Sequence, residues 1–469
     1  MSTLSKKEES LRQFILEGNM FLVTLKIGLP IAFFQSLNQV FRIFDSFMAA
    51  GINASAASMV SYFGQINLIL AGIGLGLATG SSLKISQAYG SGDYEQVRKQ
   101  VSSILAVTVA VCVVLGILII PLATPFMELI GTPPEFIEGG RTFFLLEFYS
   151  TLLTFFNSVY IAIERSQGNS KRILWINLVA MVIKLSLTAF GVYILGAGIN
   201  FLAFSTLLSQ LFILTIGVAN LRGKSQVFKF SLKDVTLKKA LLWPMILISI
   251  PIMVERSAFH LGKAVVNSMV IFYGSLVVGA LGISNIICGA SVSPMMGMQD
   301  ASISVMAQNR GAGNKERALK AFRSLLLINL VMIILMFIPS YLFAPYITGL
   351  FATGDSEFHG ILLTIFRYDV WGILPLALSS SVMALLLGFG YTKLSLFMNF
   401  CRVFLFRIPV LWAMQRFTSL GYEAAGLVML ISNSLVGALS IGLALYVFRQ
   451  IGTPAPHLRK PPILRKLKN

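Results

Sequence analysis

Five acidic residues interrupt otherwise apolar stretches of this 469-residue chain: Asp45, Glu147, Glu255, Asp300 and Asp369. Eight bases do the same, among them Arg42, Lys184, Arg256, Lys263, Arg402 and Arg407. A charge at the centre of a bilayer costs roughly 2.5–3.5 kcal/mol on insertion scales, so such residues must pair, snorkel or line water. A carboxylate placed this way is suited to ion exchange, because desolvation and a neighbouring cation push its proton affinity in opposite directions. Asp45 stands deep in FRIFDSFMAAG, with Arg42 three residues earlier on the same helical face. It reads either as a structural Asp–Arg pair or as a carboxylate that exchanges a proton or cation. Glu255 lies beside Arg256, His260 and Lys263, in phase with Phe259 rather than with His260. Asp300 sits mid-run in GMQDASIS and Asp369 in FRYDVWG. His260 alone fits a satisfied buried histidine, and Lys26 is close enough to a span end to snorkel.

The elements that hold these charges follow from composition. Hydrophobic residues make up 56% of the chain and charged ones 12%, about half the charged share of a soluble domain. The pattern is that of an all-α integral membrane protein with twelve transmembrane helices. Apolar runs fall near 20–47, 55–82, 101–122, 142–163, 173–195 and 198–220, then near 241–270, 275–306, 320–345, 361–388, 394–415 and 424–448. With the N-terminus in the cytoplasm, 27 of the 37 Lys and Arg fall on inner segments and two, Arg141 and Arg416, on outer loops. That asymmetry follows the positive-inside rule and places both termini inside. The net charge of +18 is therefore topology and attraction to membrane lipid, not a nucleic-acid footprint. The basic tail RKPPILRKLKN reads as solvated or lipid-facing. The polar start MSTLSKKEESLRQ and the long first run do not resemble a signal peptide. Cys112, Cys288 and Cys401 all lie in apolar runs and read as small hydrophobes, neither disulfide nor metal ligands.

The chain repeats itself at an offset of 221. Pro30 falls on Pro251, Gly76 on Gly297, Gln87 on Gln308, and GSGDYEQVRK from Gly90 on GAGNKERALK from Gly311. Near the fourth span the offset becomes 222, so Lys171 falls on Lys393 and Glu147 on Asp369. The expected division is a six-helix lobe over 1–220, a basic linker over 221–240, a second six-helix lobe over 241–450 and a basic tail over 451–469. An even number of spans per half makes this a parallel internal repeat, an architecture suited to alternating access. Gly72, Gly76 and Gly80, four apart, allow close helix approach. Pro30 and Pro251 are matched candidate kinks. There is no P-loop, HExxH, paired CxxC or nucleophile elbow, so neither an enzyme nor an ATP-driven pump is expected, and energy comes from an ion gradient or transport is passive.

The stretch PIAFFQSLNQVFRIFDSFMAAG from Pro30 resembles the first span of multidrug and toxic compound extrusion (MATE) transporters, with an Asp at the same distance from the helix proline. The GSGD and GAGN segments, LGFGYTK after the tenth span and the two-lobe duplication are also similar to this family, and the resemblance covers residues 20–450. It implies a monomeric secondary antiporter in the plasma or inner membrane. Such a protein exports organic cations or amphiphilic drugs in exchange for H+ or Na+ and has no cofactor. Asp45 matches the family's first-span coupling acid. The chain departs from the family in three places. Lys184 and Thr188 stand where many members carry an Asn and an Asp, and a lysine there is able to pair with Asp45, which favours protons. Glu255 is a turn before the seventh-span acid of some members, where Phe259 stands, and Asp369 is two turns before the tenth-span acid, where Leu376 stands. The ion-coupling and substrate candidates are thus Asp45, Lys184, Glu255, Asp300 and Asp369. A related lipid-linked oligosaccharide flippase is the alternative, supported by Lys184, Arg402 and Arg407.

Overall fold

Apolar stretches of 22 to 37 residues have one economical solution inside a bilayer, because a helix satisfies every backbone N–H and C=O within itself. The computed structural model describes residues 4–50, 54–129, 132–223, 227–352 and 355–452, without side chains at 42–43, 45–47, 49–50, 54–58 and 61. All regular structure among them is helical, and twelve helices are long and apolar enough to span a membrane.

The chain begins with a short helix, α1 (Lys6–Glu17), and continues through α2 (Met20–Ala50), α3 (Ala54–Ser91) and α4 (Tyr94–Ile119). A short α5 (Ala123–Leu129) precedes α6 (Pro134–Gln167), α7 (Ser170–Ala189) and α8 (Ile199–Leu221). The second half runs through α9 (Lys239–Val270), α10 (Ser275–Gly311), α11 (Lys315–Leu342), the short α12 (Ala344–Gly349) and α13 (Ser356–Gly388). It ends with α14 (Thr392–Phe400), α15 (Ile408–Phe417) and α16 (Glu423–Gly452). A π-helical segment over Cys401–Arg407 joins α14 to α15, so these two form one span.

Two seams, α3 against α9 and α2 against α10, carry most of the contact between the six-helix lobes, and α3 also meets α10. The matched glycines explain how the helices come so close. A Cβ on Gly76 would lie 2.5 Å from the Met253 Cα of α9, and one on Gly297 would lie 2.5 Å from the Ala32 backbone nitrogen of α2. Gly72 and Gly80 meet Ser257 and Ser249 of α9, and the Ser257 hydroxyl donates to the Ile69 carbonyl at 2.8 Å. The glycine row of α3 is therefore an interlobe surface, and the duplication repeats it on α10.

The duplicated GSGD and GAGN segments each divide their work among three residues. Gly90 and Gly311 lie against the backbones of Gln308 and Gln87 in the opposite lobe. Gly92 and Gly313 both adopt φ +80, the left-handed region that a side chain disfavours. Asp93 and Asn314 then cap α4 and α11, accepting from the Gln96 and Arg317 amides at 3.0 and 3.1 Å. The linker packs on the first lobe, where Ser102 and Ser103 accept from the Ser231 and Thr236 amides. Large apolar side chains such as Ile117, Leu335 and Trp412 remain exposed along the spans, as lipid-facing surfaces require.

Candidate functional site

A cavity of about 290 Å³ opens within the second lobe, walled by α9, α10, α13, α16 and the α14–α15 span. On α9, Arg256, Phe259, His260 and Lys263 follow the i, i+3, i+4, i+7 spacing of one helical face and all line it. Glu255 lines it too. Its side chain is buried and both carboxylate oxygens are engaged, accepting from Ser395 Oγ at 2.8 Å and Asn399 Nδ2 at 2.7 Å. Asp369 reaches the same cavity from α13, also buried, with Oδ2 accepting from Ser284 Oγ at 2.9 Å. Its repeat partner Glu147 accepts from Asn67 Nδ2 at 3.0 Å, so a polar group one helix away serves each matched acid.

Arg402 and Arg407 complete the cavity's charge. Five residues apart, they would stand about 140° apart on a regular α-helix. The π-helical segment that carries both has a wider turn, and this brings them to one side. The Asn433 side-chain oxygen of α16 accepts from Arg402 Nε at 3.2 Å, Arg402 Nη2 at 3.0 Å and Arg407 Nη2 at 3.1 Å. Arg407 Nε donates to Ser432 Oγ at 3.1 Å, and the Arg402 guanidinium lies 5.4 Å from the centre of the Phe259 ring. The rest of the wall is apolar and soft, with Met296, Met383, Met398 and Met429 among its residues. The lining therefore carries four Lys and Arg against two acids.

The other sequence candidates lie elsewhere. Asp300 is outside this cavity and pairs across the lobes, with Oδ2 3.3 Å from Arg165 Nη1 of α6. Close by, Ser82 Oγ meets Ser166 Oγ at 3.0 Å and Ser304 Oγ of the second lobe at 3.4 Å, and Gln308 Nε2 donates to the Ser166 carbonyl at 2.8 Å. These contacts close the lobes together at the end that carries α1. Helix α1 straddles that end. Arg12 donates to the carbonyls of Tyr89 and Gly90 in the first lobe, and Arg317 of the second donates to those of Gly18 and Ile15. Lys26 points the same way, 4.7 Å from the Phe14 ring of α1. Lys184 is half-buried on α7 and Thr188 buried one turn later. The side chains of Asp45 and Arg42 are outside the described residues. Helix α2, which bears Asp45, packs against α7, which bears Lys184.

Sequence phase missed the α1 contacts and the arginine pair. A capping box at Ser5 and Glu8, S-x-x-E in the sequence, marks the start of α1 and was available as a signal. No periodicity signals a π segment in advance.

The profile of the MatE family matches residues 30–190 and 251–413, once on each half. Over 429 residues the chain is 24% identical to the probable multidrug resistance protein YoeA of Bacillus subtilis, covering 88% of this chain and 91% of that one. It is 23% identical over 444 residues to an FAD transporter of Shewanella oneidensis, covering 94% and 96%. Among solved structures it is similar to an outward-facing multidrug resistance MATE family transporter of the MOP superfamily. The TM-score is 0.89 at 19% identity, over 96% of this chain and 100% of that one. A MOP superfamily transporter from Pyrococcus furiosus, described as having a binding pocket of reverse polarity, matches with the same score, identity and coverage.

Proposed function

The chain belongs to the MatE family of multidrug transporters, and from that premise we propose that it is a secondary antiporter exporting amphiphilic organic molecules in exchange for protons. The observation that carries the reading is the pair of repeat-related seams. Gly76 of α3 against α9 and Gly297 of α10 against α2 give two matched surfaces across which rigid six-helix lobes rock, and the lobes touch at the α1 end. Taking that end as cytoplasmic, with both termini inside a plasma or inner membrane, this conformation is closed to the inside.

Asp45 is the coupling acid in this reading and Lys184, on the neighbouring helix, its candidate partner. A resident lysine in place of a metal ligand favours H+ over Na+. No cofactor is needed, and one chain suffices. For the cargo, amphiphilic fits better than strictly cationic. The cavity's two acids already accept hydrogen bonds from Ser395, Asn399 and Ser284. The relatives' names span multidrug resistance and FAD, so their cargo is not confined to cations.

The experiment is drug-driven collapse of an imposed proton gradient in inverted vesicles, with a parallel sodium gradient. Asp45→Asn is expected to insert and fold but to lose coupled transport. Full gradient-driven transport by a well-folded Asn variant rejects the assignment, and a sodium-only response rejects the proton. The basic cavity also favours a second reading, a lipid-linked oligosaccharide flippase, whose activity alone would follow the supply of its precursor.

A further inference from the structure

We infer that Arg402 and Arg407 form an anion subsite in the second-lobe cavity, which receives the carboxylate or phosphate group of an amphiphilic cargo while the methionine-rich wall receives its apolar body. The inference rests on the transporter reading and specifies the charge of what is carried.

Three observations support it. The first is how the two guanidiniums are held. Both donate to one neutral oxygen, that of Asn433, with three N–O distances of 3.0 to 3.2 Å. Two cations are thus drawn together around an amide where an acid would have neutralised them. Buried charges are ordinarily paired, because the interior does not screen their repulsion. Neither arginine is in one of the four ion pairs among the described residues, and the charge of Asp369, which acts on both, is one acid against two cations.

The second observation is donor capacity. A guanidinium has five N–H groups in a planar fork that matches a carboxylate or phosphate edge. Arg407 gives one to Ser432 and one to Asn433, and Arg402 gives two to Asn433. The remaining donors belong to side chains that line the cavity. The π-helical segment is the third. It departs from ordinary helical phase at the residues that bring both arginines to this wall, and such segments are frequent at functional sites.

A cation finds less here. Lys263, Arg256, Arg402 and Arg407 face the cavity, and the carboxylates of Glu255 and Asp369 already accept from neighbours. The volume of about 290 Å³ is near the lower end for ligand pockets, enough for an acidic head group and a short apolar body.

The test is equilibrium binding to the purified full chain in neutral detergent, read by fluorescence anisotropy. The probes are three dansyl compounds that differ only in the end group: a propyl carboxylate, a propyl phosphate and a propyl trimethylammonium. At least one anionic probe is expected to bind tenfold or more tightly than the ammonium probe. Arg402→Gln is expected to weaken the anionic probe by about ten- to a hundredfold, the range for losing charge-assisted hydrogen bonds, and not to weaken the ammonium probe. Asn433→Asp keeps both arginines and sets a carboxylate against them, so it is expected to abolish the anion preference as well. It decides the matter alone if Arg402→Gln does not fold. An ammonium probe that binds the wild type as tightly as the anions overturns the inference, as does an anion preference that survives both variants. Competition separates two sources of the same chemistry. Displacement by short-chain phosphatidylglycerol but not phosphatidylcholine assigns the site to a lipid head group, and displacement by soluble alkyl phosphate alone assigns it to a free solute. No gradient is involved, so the result stands apart from the Asp45→Asn transport assay.

Discussion

Adding one methyl group to the interlobe seam at Gly76 should shift the whole conformational equilibrium. A Cβ there lies 2.5 Å from the Met253 Cα, and the obstacle is backbone, which does not rotate away. Ordinary carbon–carbon contact begins near 3.5 Å, so α3 and α9 must part by about 1 Å. Overpacking of this kind costs about 1–3 kcal/mol. If that strain is relieved when the lobes reorient, the open-to-closed ratio at the α1 end rises by about 5- to 150-fold. Ser304 reports that ratio, since it is buried between the lobes beside Ser82. A Ser304→Cys reporter, in a background lacking Cys112, Cys288 and Cys401, reacts with a bulky maleimide only while that end is open. The labelling rate in Gly76→Ala should therefore rise by the same factor. Gly297→Ala should match it, because its Cβ lies 2.5 Å from the Ala32 nitrogen across the repeat-related seam. Gly360→Ala, with nothing within 4 Å, is the control. A second reporter at Ser381, buried inside the second lobe, should stay unlabelled and so exclude unfolding. Labelling of either seam variant at the control rate, or a large response from one and none from the other, would refute the two-seam reasoning.

Asp300→Asn removes the interlobe pair with Arg165 and leaves that arginine buried without a carboxylate, so Ser304 labelling should accelerate several-fold. Asp300→Glu, which keeps the charge, should recover most of the wild-type rate in the same assay. Asp93→Ala and Asn314→Ala each delete a helix cap worth about 1 kcal/mol. Each cap is internal to its own lobe, so these variants should lower the thermal midpoint and leave Ser304 labelling unchanged.

Much of this was legible in the sequence, for identifiable reasons. Span number follows from apolar run length, a property each helix has alone. The seams follow from the repeat, because Gly76 and Gly297 are small for the same purpose in both halves. The turns were visible in part. GSGD and GAGN looked like loops, but only the structure separates the glycine that approaches the other lobe from the one with positive φ and from the capping residue. The helices also run further than the apolar runs. The second span, expected over 55–82, belongs to a helix ending at Ser91, whose last turns are polar and shared between lobes. The site was less accessible. Asp300 was a coupling candidate whose partner sequence spacing could not name, because Arg165 is 135 residues away in the chain and 3.3 Å away in space. Arg402 and Arg407 stood together in the sequence only as basic residues of one span, because a phase argument assumes the α-helical turn that Cys401–Arg407 does not have and would not set them on one wall.

The fold also explains how an acid in one lobe and a cavity in the other are able to influence each other. Helix α2 carries Asp45 near one end, and its middle forms a seam with α10 through Ala32 and Gly297. Further along, Gln39 of α2 lies against Gly289, and Gly289 is itself part of the cavity wall. One helix therefore spans the distance from the proposed proton site to the proposed cargo site, with no chain of side chains to traverse. The second seam repeats the arrangement in reverse. Helix α9 meets α3 through Met253 and Gly76, and within three residues it presents Glu255 and Arg256 to the cavity. Helices α2 and α9 are thus seam helices and site helices at once. Packed seams of this kind are bistable rather than continuously deformable, so a small change at one site is resolved as one lobe arrangement or the other. The proposed coupling needs only that the two arrangements differ in how well they hold a proton at the proposed site, Asp45, and an anion at the proposed subsite, Arg402 and Arg407.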